Sequence, residues 1–411
     1  MNLRYKINTV LFLVMIFGYG IISLIHTYAD NGSVSSLEQR ALGEFPAFSW
    51  ESLATGAFTR DLDQYFNDHL PLRTSMAKTG ALIMTWKGLP DEEAILVQQG
   101  GDNTALRLTD DNDTEQLVQE SHDTQYLIYK EQAYTLFKYS NTAAELYAET
   151  LNRFRSEVES TARVYSMLVP TSSEFIDHGQ YSRLSDSQKE AFGHINELLS
   201  SGIQQIDAYR ALDEHKEEDI YFRTDHHWTA LGAYYAYSEF MKTIGEEAVP
   251  LSTFAQGEID GFLGSSYKAT LNYKLKSRPD VITYYQPADT YSYTRYYSNG
   301  KEVAGKVVDP AYAKEDIGLY SVFLGGDFPW GEIQTGQDNG KSIVVIKDSY
   351  ANALIPYLIP HFQSIYYIDP RFYTGSLTAF VEEHHVTDVL FLNNSTVART
   401  KGIAELIDQL M

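Results

Sequence analysis

The 411-residue chain carries 32 Lys and Arg against 55 Asp and Glu, a formal charge of -23, and no cysteine. That balance argues against a nucleic-acid partner, because binding a phosphate backbone takes clustered basic residues that displace counterions. The lack of Cys excludes disulfides, a thiolate nucleophile, a lipidated Cys and Cys-ligated metal sites, while 44% hydrophobic residues supply ample material for a core.

Arg4 and Lys6 precede an apolar run from Val10 to Ile25, and polar residues resume at His26. Basic residues ahead of an apolar stretch at the N-terminus form an export signal. The run is at the short end of the about 17–25 residues a spanning helix needs, and Thr27-Tyr28-Ala29 resembles a small-residue cleavage site. Residues 1–29 therefore read as a signal peptide or a membrane anchor, with the rest of the chain outside the cell membrane. A buried helix is the bland alternative.

Residues 30–120 read as an N-terminal extension and linker. Within them Leu62, Tyr65, Phe66 and His69 fall at helical spacing and Pro71 ends the pattern. Residues 100–120 show no periodicity and read as a surface loop or a domain boundary. From 121 to 411 strands and helices alternate. Tyr126–Tyr129 and Val164–Val169 read as strands, Ala143–Val158 and residues 187–212 as helical, and Ile343–Ile346, Ile365–Ile368 and Val389–Leu392 as apolar strands. This pattern predicts an α/β domain with a parallel sheet flanked by helices. Residues 250–335, rich in Tyr, Gly, Ser and Thr, read as an insertion of loops and short strands.

Two segments carry candidate chemistry. In Lys347-Asp348-Ser349-Tyr350-Ala351-Asn352, Ser349 follows an apolar strand and opens a helical stretch. Such a turn exposes a hydroxyl at the sheet edge near backbone N–H groups; the alternative is a simple helix N-cap. In Thr224-Asp225-His226-His227-Trp228-Thr229, Asp-x-His supplies an imidazole to take the Ser349 proton and a carboxylate to fix its tautomer. Metal binding competes for the same residues, but adjacent His side chains are expected to diverge and no HExxH spacing is present. Asp225 as the N-cap of a following helix is the structural alternative. Arg223 is placed to orient Asp225, to contact an anionic substrate or to form a surface ion pair.

With these residues in hand, the chain resembles the bacterial DHHW protein family, whose tetrad stands here as Asp225-His226-His227-Trp228. That family is similar to SGNH-hydrolase-like proteins that O-acetylate alginate, in which a D-x-H pair precedes a G-D-S-type serine, the reverse of the usual SGNH order. Phe66–Arg73 and Ile346–Asn352 resemble the family's early and serine segments. The resemblance implies an SGNH-like fold with permuted triad order, Ser349 as nucleophile, His227 as base and Asp225 as its orienting acid. Lys347 departs from the pattern by standing where G-D-S has Gly. Asn393, Asn394, Gly325 and Gly326 are the conceivable oxyanion donors. The implied reaction moves an acetyl group onto a polysaccharide hydroxyl, needs no metal or diffusible cofactor, and implies a membrane-bound O-acyltransferase as acetyl supplier. An esterase with the same triad and a non-catalytic cell-envelope binding or scaffold protein are the other two readings.

Overall fold

The structure, a computed structural model, describes residues 45–69, 124–314 and 318–411, with short stretches at 12–13, 17–18, 34–35, 40–41, 79, 94–99, 103–106 and 116–120. The expected export segment lies almost wholly outside the described residues, as does Pro71. Among the described residues no helix is long and apolar enough to cross a membrane. The chain divides into two compact units, residues 1–90 with 104–116, and residues 91–103 with 117–411.

In the first unit, α1 (Trp50–Ala54) begins at Ser49, which exchanges hydrogen bonds with Ser52 in a capping box. α2 (Ala57–Asp68) is the helix expected around Leu62 and Tyr65. Gly56 joins the two helices with φ +77, a left-handed conformation that suits a residue without Cβ.

In the second unit β1 (Ala94–Gln99), β2 (Thr124–Tyr129) and β3 (Gln132–Thr135) form a small antiparallel sheet. There follow α3 (Asn141–Glu157), β4 (Arg163–Val169), α4 (Gln188–Leu198), β5 (Ile203–Ile206), α5 (Ala208–Glu214) and α6 (Ala230–Thr243). The stretch 187–212, expected to be helical throughout, is thus helix, strand and helix. Ile203 and Ile206 are spaced three apart as on a helix face, but β5 pairs parallel to β4. Then come β6 (Ala255–Phe262), α7 (Ser265–Thr270), β7 (Asp280–Gln286), β8 (Tyr291–Tyr296), β9 (Glu302–Gly305) and β10 (Trp330–Thr335). The chain ends with β11 (Ser342–Lys347), α8 (Ala351–Leu354), β12 (Ser364–Ile368), α9 (Leu377–Glu383), β13 (Asp388–Asn394) and α10 (Gly402–Gln409).

The main sheet has the order β9-β8-β10-β12-β11-β13-β4-β5. From β12 to β5 neighbours are parallel, and β10, β8 and β9 extend that block antiparallel. Within residues 250–335, β6 and β7 pair with each other, whereas β8, β9 and β10 belong to the main sheet. β11 and β13 are buried along their whole length because both sheet faces are covered, which explains their unbroken apolar runs. Alternation sends Ile343 and Val345 into one core with α6, and Val344 and Ile346 into another with α3 and α10. Each such side chain, fully buried, contributes roughly 1.5–3 kcal/mol, and the two cores clamp the strand that delivers Ser349.

Candidate active site

The chain leaves β11 at Lys347 and turns at once. The Asp348 carboxylate shapes that turn: Oδ1 accepts the Tyr350 N–H at 2.9 Å and Oδ2 accepts the Asn394 N–H at 2.8 Å, tying the turn to the end of β13. Burial raises the pKa of this carboxyl above its ordinary value. α8 is a single turn that passes into a 3₁₀ segment, Ile355–Leu358, at Pro356. Tyr350 occupies its N-cap position with no side-chain cap, so neither Asp348 nor Ser349 has the capping role considered from sequence.

Residues 221–228 form a second tight loop, closed by the Tyr221–Trp228 bridge and by Thr229 N–H donating to Ile220 C=O at 2.9 Å. Thr229, not Asp225, caps α6. Asp225 is thereby left to its neighbours. Its Oδ1 accepts the His227 N–H at 2.9 Å and the Nδ1–H at 2.5 Å, and its Oδ2 accepts the Ser265 N–H at 2.7 Å. Gly264 permits this approach, since a Cβ there would stand 2.3 Å from Oδ2. Burial by itself would raise the Asp225 carboxyl. The two imidazoles and the Ser265 N–H outweigh burial and hold it well below the usual carboxylate range.

With Nδ1 donating to the carboxylate, His227 Nε2 is an acceptor, and the Ser349 hydroxyl donates to it at 2.7 Å. The structure thus brings Asp225, His227 and Ser349 into one hydrogen-bonded chain across 122 residues of sequence. Tyr320 stacks on the His227 ring, with centroids 4.0 Å apart and planes 9° apart. His226 lies against the same imidazole, with centroids 3.8 Å apart. The adjacent His side chains therefore do not diverge as expected, because the loop follows neither helical nor strand geometry. Ligand atoms of Asp225, His226 and His227 lie within 4.8 Å of one another, close enough in principle for a metal. Both His227 nitrogens and both Asp225 oxygens are already engaged, and His226 Nδ1 shares a 2.6 Å hydrogen bond with Ser265 Oγ.

Lys347, standing where a G-D-S motif has Gly, is fully buried and belongs to a four-charge cluster directly before Ser349. Its ammonium donates to Asp327 Oδ1 at 2.9 Å and to Asp369 Oδ2 at 3.2 Å. Arg371 donates to Asp327 Oδ2 at 2.9 Å and to Asp369 Oδ2 at 2.6 Å, and Asn352 Nδ2 donates to Asp327 Oδ1 at 2.8 Å. Burial opposes ionisation of Asp327, yet Lys347 and Arg371 keep it far below the ordinary carboxylate range. Asp327 thus ties the segment after Gly326 to residues on both sides of Ser349.

The remaining candidates are placed as follows. Asn393 is buried on the α3 side of the sheet, where its Oδ1 accepts the Tyr147 hydroxyl at 2.9 Å. Asn394 caps the 3₁₀ turn Ser395–Ala398, accepting from Thr396 N–H and Oγ1–H. Gly325 and Gly326 make a turn with φ of +78 and +111, and a Cβ on Gly325 would meet Arg295 Nη1 at 2.0 Å. Arg223 pairs with Asp280 at 3.2 Å rather than with Asp225. Ser265, Tyr320, Asp327, Asp369 and Arg371 border the site without any local motif. Only the Gly264-Ser265 and Gly326-Asp327 turns mark them in the sequence.

A family model described as DHHW protein matches residues 101–368. No curated protein matches the sequence at a significant level. Among solved structures, a DHHW family protein from Eubacterium siraeum is similar at 30% identity, with a TM-score of 0.64 over 78% of this chain and 99% of the other. Bacillus cereus PatB1 is similar at 20% identity, with a TM-score of 0.58 over 73% and 99% of the two chains. PatB1 with a sulfonyl adduct gives 18% identity and a TM-score of 0.59 over 68% and 97%. These likenesses share the mixed α/β architecture, and with the tetrad at 225–228 forming the heart of the site, the chain belongs to the DHHW family.

Proposed function

We propose that this protein is a serine-dependent O-acetyltransferase, which moves acetyl groups onto hydroxyls of a cell-surface or secreted polysaccharide through an acetyl-Ser349 intermediate. The observation that carries the reading is the unbroken Asp225–His227–Ser349 chain, with links of 2.5 and 2.7 Å. His227 takes the proton of Ser349 as its Oγ attacks the acyl carbon, while Asp225 holds the tautomer and stabilises the imidazolium. The leaving group departs with the proton from His227 Nε2. In the second half His227 accepts the proton of the incoming hydroxyl, the new ester bond forms, and the Ser349 ester bond breaks with return of a proton to Oγ. The Ser349 N–H has no acceptor among the described residues and is a donor for the oxyanion.

The basic-then-apolar N-terminus supports export, with the catalytic unit outside the membrane, held by that segment or released after cleavage. Acetyl-CoA is cytoplasmic, so a membrane-bound O-acyltransferase is the proposed acetyl supplier. The test is intact-protein mass spectrometry after incubation with an activated acetyl ester. One acetyl adduct on Ser349, lost in Ser349→Ala and His227→Ala, is expected; equal ester consumption by all three proteins without an adduct overturns the reading.

A further inference from the structure

His226 is the second imidazole of the tetrad, and the acyl-transfer chemistry above leaves it without a task. Its surroundings differ from those of the triad. The Asp225 and His227 side chains are only 5% and 8% exposed, whereas that of His226 is 37% exposed. It is nonetheless rigidly held. Its Nδ1 shares the hydrogen bond with Ser265 Oγ, its carbonyl accepts the Tyr350 hydroxyl, and its ring lies against His227. Its Nε2 bonds no group among the described residues and is not fully buried.

Access to the reacting atoms is limited by packing. Tyr320 stacks on the His227 ring, and Tyr350, fully buried, packs 5.3 Å from it by ring centroids. His226 is therefore a partly exposed polar group beside the base. An acceptor hydroxyl must come within hydrogen-bond reach of His227 Nε2 to give up its proton. The centroids of the two imidazoles are 3.8 Å apart, so the rings touch and lie together within the span of one sugar. A sugar delivering one hydroxyl to His227 is large enough to reach His226 with another.

We propose that His226 is the acceptor-recognition residue, whose Nε2 hydrogen-bonds the hydroxyl vicinal to the one being acylated, so that the site selects a neutral vicinal diol over water. This inference rests on the acyl-transfer reading. Partial burial and the adjacent His227 lower the His226 pKa below its ordinary value of 6.5, so the ring is neutral near pH 7 and can pair with an uncharged hydroxyl. The Ser265 hydrogen bond fixes the ring before the sugar arrives, so little rotamer freedom is lost on binding.

The test separates the two half-reactions in the full-length protein, using p-nitrophenyl acetate as donor and methyl glucopyranoside, with its 2-deoxy and 3-deoxy analogues, as acceptors. For His226→Ala and His226→Gln the acetyl-enzyme is first formed to completion, so that any change in the rate of Ser349 acylation does not enter the second half-reaction. Their partition of acetyl-enzyme between sugar and water is expected to fall roughly five- to tenfold, the effect of one neutral hydrogen bond. Wild type should disfavour at least one deoxy analogue, and the variants should lose that preference. An unchanged partition, or no transfer to any glycoside, overturns the proposal. A parallel loss of acylation and transfer also overturns it, because His226 would then act only by supporting Ser265 and Asp225. Failure of wild type to form an acetyl-Ser349 adduct removes the underlying acyl-transfer reading, and shows itself in the first half-reaction.

Discussion

Trp228 and Tyr350 lock the two halves of the site together: the indole N–H of Trp228 donates to Tyr350 C=O at 2.8 Å, while the Tyr350 hydroxyl donates to the carbonyl of His226. The last residue of the tetrad is thus joined to the residue that follows Ser349. Both side chains are fully buried. Trp228→Phe leaves Tyr350 C=O without its donor and removes part of a core side chain. The expected cost is roughly 2–4 kcal/mol, combining an unsatisfied buried acceptor with lost packing. A lowered urea midpoint, with Ser349 acylation slowed at least about tenfold by misregistered loops, is the expected outcome; an unchanged midpoint contradicts it.

Asp225→Asn keeps the shape of the triad but reverses its hydrogen-bond polarity. An amide N–H facing His227 Nδ1 forces the proton onto Nε2, where it points at Ser349 instead of accepting from it. Acylation by an activated ester should fall by about 10³–10⁴ while the protein stays folded, following the behaviour of Ser-His-Asp enzymes. Burst kinetics check this, and a loss smaller than tenfold would remove Asp225 from the mechanism.

Lys347 sits fully buried between Asp327 and Asp369, and Asp369 is buried as well. Lys347→Met leaves Arg371 alone to balance two carboxylates and should destabilise the protein by about 3–5 kcal/mol. Lys347→Met with Asp369→Asn removes the excess negative charge and should recover more than half of the loss. Chemical denaturation of both variants decides it, and a double variant no more stable than the single one refutes the charge argument.

Asp225 and His226 both have lowered pKa values, and both give stability the same dependence on pH. The native state binds fewer protons than the unfolded chain wherever a folded pKa is depressed, so stability declines as pH falls. For His226 the loss runs from its ordinary value of 6.5 down toward about 4. For Asp225 it begins below the ordinary value of 3.8. His226→Gln should therefore lose less stability between pH 7 and pH 5 than wild type, which unfolding midpoints at the two pH values will test.

Tyr320 offers its ring to His227, while its hydroxyl is buried without a hydrogen-bond partner among the described residues. Tyr320→Phe should be neutral or stabilising by up to ~1 kcal/mol, with acylation within about twofold, because the stack survives and an unpaired polar group is removed. Tyr320→Leu should slow acylation by about tenfold. A large loss in the Phe variant would instead assign the hydroxyl a part in the chemistry.

Local pattern made the main strands and the motif legible before the fold was known. Ile343–Ile346, Ile365–Ile368 and Val389–Leu392 read as buried parallel strands because helices cover both faces of that sheet, leaving no polar alternation. Asp225-His226-His227-Trp228 and Asp348-Ser349 were visible as residue types able to share a proton. Residues 187–212 misled because Ile203 and Ile206 match a helical period while their backbone pairs with β4. What only the tertiary structure decided are contacts between residues far apart in the chain: Ser265 N–H on Asp225, Tyr320 against His227, and Asp327 and Asp369 around Lys347. Such contacts leave no periodicity, since they are set by where the sheet and its loops bring distant segments together. The same reason assigns Arg223 to Asp280, and Asn393 and Asn394 to Tyr147 and Thr396, although each residue type was suited to the reacting centre.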